Sequence, residues 1–185
     1  MNIILASSSP RRKEILKNAG YDFKIIPSNY EENIIGKLFS LKLTEKCAYN
    51  KASDILNKHN DSIIVSADTV VVLDDIILGK PKDKNDAFLT LKKLSSKTHF
   101  VATSICILSK EKSITATDIT NVTFRKLTDD EIETYIETKS PLDKAGSYGI
   151  QDDGFDFYTK IDGQLDNVIG FPLKLFKEKL QAFEI

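Results

Sequence analysis

The 185 residues predict a fold in which helices and strands are mixed along the chain, of the α/β or α+β class. Three observations carry this. A short, continuously apolar run at 2–6, NIILA, leads into a polar turn and then a helical pattern. Two β-branched stretches, SIIVSADTVVVL at 62–73 and the longer run at 99–127, read as strands. Segments with apolar residues three and four apart lie between them.

Taken in order, residues 2–6 read as a buried strand. From Pro10 a helix is expected: Ser9 can cap it, Pro10 suits its first position, Ile15, Leu16 and Ala19 share one face, and Gly20 suits its end. DFKIIP at 22–27 reads as a second strand, followed by the acidic connection SNYEEN. Residues 41–58 read as an amphipathic helix, with Ala48, Ala52 and Ile55 at helical spacing. The stretch 62–73 reads as strand interrupted by the polar triplet Ala67-Asp68-Thr69. Asp74-Asp75 is expected to turn a hairpin, although the favoured glycine is missing. Asp83 can cap a helix carrying Ala87, Phe88, Leu91 and Leu94. Residues 99–127 predict two long antiparallel strands joined at Lys110-Glu111-Lys112. Thr128 and Glu131 have the spacing of a capping box before the next helix. Residues 140–154 are turn-rich, 155–171 read as strand-like material, and Pro172 starts a terminal helix with Leu173, Phe176 and Leu180 inward. With no repeat, low-complexity tract or linker, one domain over 1–185 is expected.

The formal net charge is −1, so the global basic field of a nucleic-acid-binding chain is absent. No apolar run approaches the roughly 20 residues that span a bilayer, and NIILA is too short for an export signal. A cytoplasmic protein with no membrane partner is therefore expected. Cys47 and Cys106 lack metal-site or redox spacing and read as reduced, packed thiols. His59 and His99 have no HxxxH or HExxH context, which argues against a zinc site or a histidine-based triad.

The residues that can do chemistry are few. SSSPRR at 7–12 puts hydroxyls, free backbone N–H groups and two arginines at a helix N-terminus, where the dipole favours anions. Arginine grips phosphate oxygens bidentately, so this is a candidate phosphate cradle, though not a Walker loop. A plain capped helix with solvated arginines is the other reading. Asp68, at or near the end of a buried strand, must be solvated, paired or metal-bound, because burying a bare carboxylate is costly. Glu31 and Glu32 in their loop are either solvated or donors to a hard cation. Lys51 and Lys80 read alone as surface lysines. In combination, phosphate-gripping residues, a strand acid and a loop acid suit metal-assisted hydrolysis of a polyphosphate.

These stretches resemble the Maf family of nucleoside triphosphate pyrophosphatases. LASSSPRRKEIL at 5–16 is similar to the family's opening signature, and SADTVVVLDDIILGKPKD at 66–83 to its central motif. KKLSSKTH at 92–99, YIETKSPLDKAGSYGIQDDG at 135–154 and VIGFP at 168–172 resemble later blocks. The resemblance is collinear from residue 3 to about 173. It implies an α/β fold like that of the Maf and inosine triphosphate pyrophosphatase group, with an elongated sheet and two lobes around a cleft. It implies cleavage of a nucleoside triphosphate between the α- and β-phosphates, a divalent cation, Mg²⁺ or Mn²⁺, and a homodimer. Asp68 matches the family's catalytic acid, and Glu31 the acidic position expected to hold the metal with it. Ser7, Arg12, Lys51 and Lys80 match positions expected to contact phosphates.

Arg11, Thr69 and Gln151 match the family members acting on dTTP and UTP; those favouring 7-methyl-GTP typically carry an aromatic, a glutamine and a glutamate there. An amide at Gln151 can both donate to and accept from a uracil or thymine edge. The alternatives are a 7-methyl-GTP pyrophosphatase and, from another class, a nucleotide- or nucleic-acid-binding regulator of division. The departures are local: Asp152 and Asp153 stand where the family often has smaller or apolar residues, FDFYT follows, and GQLDN replaces a motif that usually carries an aromatic.

Overall fold

The computed structural model describes residues 2–138, 140–153 and 155–184. Lys139 and Gly154, inside the turn-rich run, and the terminal Met1 and Ile185 lie outside the described residues. The elements in chain order are β1 (Ile3–Leu5), α1 (Pro10–Asn18), β2 (Lys24–Ile25), α2 (Leu41–Leu56), β3 (Ile63–Leu73), β4 (Ile76–Leu78), α3 (Lys84–Leu94), β5 (Thr98–Leu108), β6 (Ser113–Phe124), α4 (Asp129–Glu137), two 3₁₀ turns (Ser140–Asp143 and Ala145–Ser147), β7 (Tyr158–Asp162), α5 (Leu165–Ile169) and α6 (Leu173–Glu184).

One mixed sheet holds the molecule together, in the order β2-β1-β3-β5-β6-β7, with β4 also paired to β3. β1 runs parallel to β2 and β3; every other pairing is antiparallel. The long strands β3, β5 and β6 are rich in β-branched residues, whose stiff side chains suit a pleated surface. β3 shares one edge between two short strands. β1 pairs with it over Ile63 to Val65, and β4 over Val71 to Leu73. Between these pairings, residues 66–70 have no strand neighbour on that edge.

Side chains of β3 alternate between two packed faces, as the pleat requires. Ile64, Val70 and Val72 face α2, where they meet Ala48, Ala52 and Cys47. Val65 and Ala67 face the other way, against Leu16 of α1 and Phe176 of α6. Further along that second face, Val71 and Leu73 join a different cluster, built from α3, α4 and the aromatics Tyr148, Phe155 and Phe157. The second face thus carries two lobes, and β3 crosses from one to the other at Thr69.

Several local expectations hold with their physical causes visible. Ser9, Ser40 and Asp83 cap α1, α2 and α3, and Thr128 with Glu131 closes the capping box of α4. Asp74 and Asp75 both adopt positive φ, 51° and 62°, so the hairpin turn forms with two aspartates in place of glycine. Both cysteines are buried and unpaired with each other. Among the described residues no helix is long and apolar enough to cross a membrane.

Three expectations need correction. The polar triplet does not interrupt the strand: β3 runs unbroken from Ile63 to Leu73, and Asp68 sits mid-strand opposite Ser104. Its polarity is tolerated because one strand edge is open there. DFKIIP contributes only two strand residues, Lys24 and Ile25, both exposed at the sheet's edge. Residues 155–171 are not all strand. After β7, α5 forms from Leu165 and ends at Gly170, whose φ of 118° is reached readily only without a side chain. Asn167 anchors this short helix by donating to the Val101 carbonyl and to Thr120 Oγ1, at 3.0 Å each.

His99 supplies a test of the aromatic lobe. It is buried, shares a 2.8 Å hydrogen bond with the Tyr148 hydroxyl and stacks edge-on to Phe124. Burial pushes its pKa down from 6.5 to about 4. The unfolded chain therefore takes up a proton below pH 6.5 that the folded protein refuses until about pH 4. Stability from this group is complete above pH 6.5 and falls as pH drops to about 4, by about 3 kcal/mol in all. Urea unfolding across that window should give a slope of stability on pH up to about 1.4 kcal/mol per unit shallower in His99→Asn than in wild type. Equal slopes would remove His99 from the acid response.

Candidate active site

The open edge of β3 floors a cleft of about 450 Å³ between the two lobes. The turn after β1 forms one wall: β1 stops pairing at Leu5, Ala6 still donates to the Val65 carbonyl at 2.8 Å, and the chain then swings away through Ser7. The other walls come from the 28–32 loop, Lys80 after β4, the 3₁₀ turns with residues 148–152, and the end of α5.

Asp68 is the buried charge at the centre, 1% exposed. On the α2 face of β3, its Oδ1 accepts from Lys51 Nζ at 2.7 Å. Lys51 also pairs with Glu32, whose carboxylate reaches in from the loop, and lies 3.5 Å from the Ala67 carbonyl. Asp68 Oδ2 is buried without a partner. Burial raises the Asp68 pKa and outweighs the opposing pull of Lys51, while the Glu32 carboxylate raises it further. For Glu32 burial acts in the same direction, but the charge and hydrogen bond of Lys51, helped by Arg12, prevail, and its pKa is lowered. A lysine between two carboxylates, one of them with a bare oxygen, is an incompletely compensated cluster.

Arg12 lies on the opposite face of the same strand. Its Nε donates to the Gly170 carbonyl at 2.9 Å, Nη1 to Ser7 Oγ at 3.1 Å and Nη2 to Thr69 Oγ1 at 3.1 Å. Thr103 donates its one proton to the Asn167 carbonyl at 2.9 Å, so the 3.0 Å contact between the two threonines has Thr69 as donor. The guanidinium is thereby fixed from behind, with its outer N–H groups left for a ligand. Burial lowers its pKa, against the carboxylates of Asp68 and Glu32. Ser9 and Ser7 complete the turn: Ser9 Oγ accepts from the Arg12 N–H, and Ser7 Oγ from the Ser9 N–H at 3.2 Å.

The cleft gathers Ser7, Arg11, Arg12, Lys51, Asp68, Thr69, Lys80 and Gln151. It does not gather Glu31. That residue points to solvent, and its neighbour Glu32 lines the cleft instead. The reason is phase. Tyr30 and Ile34 pack against the core at alternate positions of an extended segment, so Glu32 shares their side and Glu31 does not. That alternation is present in YEENI and was the available signal. Arg11 sits at the mouth, 3.7 Å from Asp143 across it. Gln151 is exposed to the cleft with its amide free. Asp143, Lys144 and Asp152 line the site without any motif that singles them out.

The donor set suits a hard divalent cation. Asp68 and Glu32 present carboxylate oxygens on one side of the cleft, one of them unpartnered, and Mg²⁺ is commonly held by one or two carboxylates together with substrate phosphates. Among the described residues there is no larger His, Cys, Asp and Glu group that would make a closed metal cage.

The fold is similar to that of the Staphylococcus aureus Ham1 protein, with a TM-score of 0.55, 12% identity and coverage of 98% of this chain and 99% of that one. It is similar too to a nucleoside-triphosphatase / dITP/XTP pyrophosphatase from Mycobacterium abscessus, with a TM-score of 0.50, 13% identity and coverage of 100% and 97%. In sequence, a dTTP/UTP pyrophosphatase of Acholeplasma laidlawii is 46% identical over 184 residues, 99% of this chain and 97% of that protein. One of Thermosipho africanus is 50% identical over 173 residues, 94% and 88% respectively. The family model described as Maf-like protein matches residues 2–183, and with relatives this similar over nearly its whole length the chain belongs to the Maf family.

Proposed function

We propose that this protein hydrolyses dTTP and UTP to the nucleoside monophosphate and pyrophosphate. One observation carries the reading: a buried, incompletely compensated acid, Asp68, faces a cleft whose opposite wall holds a pre-oriented arginine, Arg12. The names of the full-length relatives support the substrate.

The triphosphate lies against the 7–12 turn, where Arg12 offers its outer N–H groups and Ser7 its hydroxyl. Lys80 and Lys51 offset further charge. Asp68 orients a water and takes its proton as the water oxygen attacks the α-phosphorus. The bond from that phosphorus to the α–β bridging oxygen breaks, and pyrophosphate leaves toward the cationic wall. Lys51 offsets part of the cost of burying the Asp68 carboxylate, while the net rise in its pKa suits a group that must take a proton. Asp68 and Glu32 would hold Mg²⁺ or Mn²⁺, which when bound would supply charge neutralisation and a more acidic water. Gln151 reads the pyrimidine edge, and Arg11 narrows the mouth beside it.

Incubation with a panel of nucleoside triphosphates and Mg²⁺ or Mn²⁺ should release pyrophosphate from dTTP and UTP ahead of all others. Preference for 7-methyl-GTP, or binding without turnover under either metal, would replace this reading with one of its rivals. Asp68→Asn is expected to lower kcat by about 10²–10⁴-fold with the thermal midpoint retained; near-wild-type turnover removes Asp68 from the chemistry. Arg11→Trp, at a half-buried position on the mouth, is expected to shift nucleotide preference more than stability. An unchanged substrate profile would return Arg11 to the role of a surface cation.

A further inference from the structure

Asp152 follows Gln151 directly in the chain, and its side chain is engaged rather than solvated. Its Oδ2 accepts from the Tyr135 hydroxyl at 2.5 Å and from Ser140 Oγ at 2.6 Å. Lys144 Nζ stands 3.8 Å away and donates to Ser140 Oγ at 2.8 Å. The carboxylate folds back so closely over Gly149 that a Cβ there would meet its oxygens at 2.5 and 2.6 Å. The Tyr135 hydroxyl also accepts from the Gly149 N–H at 2.8 Å. Asp152 N–H donates to the Gly149 carbonyl at 3.0 Å, closing a four-residue turn over 149–152.

Both ends of this turn are therefore held by a single phenol. Of its two central residues, Ile150 is buried in the aromatic lobe and Gln151 projects into the cleft. Tyr135 itself has little freedom. It is buried on α4 and packs against Phe155 and Phe157 at centroid distances of 5.4 and 5.3 Å. Among the described residues the Gln151 side chain has no hydrogen-bond partner, so its orientation is inherited from the turn that carries it.

We infer that Tyr135 and Asp152 are positioning residues that set base selectivity: they hold the 149–152 turn so that the Gln151 amide meets a pyrimidine edge at a fixed place. The inference rests on Gln151 being the base contact. It goes further by assigning selectivity to a pair that never touches the nucleotide. The pair acts through geometry, so its loss should be felt by nucleotides that the amide recognises and not by those that it does not. The amide oxygen of an asparagine can accept the same two hydroxyl protons, so Asp152→Asn should retain what Asp152→Ala loses.

The experiment measures kcat/KM for UTP and dTTP, and the inhibition constant of CTP against UTP, in wild type, Tyr135→Phe, Asp152→Ala, Asp152→Asn, Gln151→Ala and the double variant Tyr135→Phe/Gln151→Ala. Tyr135→Phe and Asp152→Ala are expected to lower UTP-over-CTP selectivity by at least about 10-fold, toward the roughly 100-fold that a displacement of about 1 Å can cost. Asp152→Asn should stay near wild type. The double variant should be no less selective than Gln151→Ala alone, the signature of residues acting through one another. Hydrogen exchange at Gly149 and Asp152 should quicken in Tyr135→Phe. An equal fall for every nucleotide assigns the pair a purely structural role and overturns the proposal. So does unchanged selectivity in Tyr135→Phe and Asp152→Ala while Gln151→Ala shifts it, a result that leaves the reading of Gln151 standing. Unchanged selectivity in Gln151→Ala overturns both. Should Tyr135→Phe fail to fold, Asp152→Ala, a loop substitution, decides alone.

Discussion

The arrangement of this molecule follows from one buried carboxylate. Asp68 lies in the middle of a long strand, under almost no solvent, and a bare charge there is costly. Its compensation comes from Lys51, which must approach from the α2 side because even-numbered residues of β3 face that way. The helix is docked for that purpose by small residues. Ala48 and Ala52 let α2 approach the sheet closely, and the buried Ser66 hydroxyl donates to the Ala48 carbonyl at 2.5 Å. Lys51 is then delivered beside Asp68 with little side-chain freedom to lose. Compensation is partial, since Oδ2 has no partner, and this deficit is what a ligand can fill. A carboxylate fully satisfied by protein would have nothing left with which to bind.

The open strand edge is the second consequence. Had β1 continued along β3, the 66–70 segment would be sealed and Asp68 entombed. By ending at Leu5, β1 gives one strand access to the cleft from both faces, so that consecutive residues serve different walls. Asp68 belongs to the α2 face. Thr69 belongs to the other, where it stands at the head of a directed chain of hydrogen bonds running from Arg12 through Thr69 and Thr103 to the carbonyl of Asn167. Asn167 is in turn tied to β5 and β6 by its side chain. A residue singled out for substrate choice is, in the structure, also a support of Arg12.

How far this was readable from sequence depends on range. Local chemistry was legible: serine, aspartate and threonine caps, the capping box, the two-aspartate hairpin and the strand-turn-helix opening all depend on neighbours within a few positions. What depended on distant partners was not. Asp68 suggested a strand end, because nothing near it reveals that a neighbouring strand stops short. Lys51 by itself reads as a surface lysine, and its pairing with Asp68 depends on α2 lying against β3. The loop acid that lines the cleft is Glu32 and not the expected Glu31: the two are chemically equal and only the packing of Tyr30 and Ile34 separates them. Leu165–Ile169 read as strand because its helix is held by Asn167 and a left-handed Gly170, which are tertiary and terminal effects rather than periodicity.

The charge of the cleft also bears on what it binds. Arg11, Arg12, Lys51, Lys80 and Lys144 line it, but so do Glu32, Asp68, Asp143 and Asp152, which leaves a formal excess of one positive charge. Most of the cations are already engaged: Lys51 with two acids, Arg11 with Asp143, and Lys144 with Asp143 and Asp152. Among the described residues, Arg12 and Lys80 alone of the five have no ion-pair partner. A triphosphate carries several negative charges, more than two cations at the edge of solvent can offset, and it must approach two carboxylates to reach Asp68. A divalent cation on Asp68 and Glu32 would resolve both difficulties, turning the acids from a source of repulsion into the means by which phosphate oxygens are held. On this argument the acidic residues that make the cleft by itself a poor anion site are what would suit it to a nucleotide that arrives with a metal.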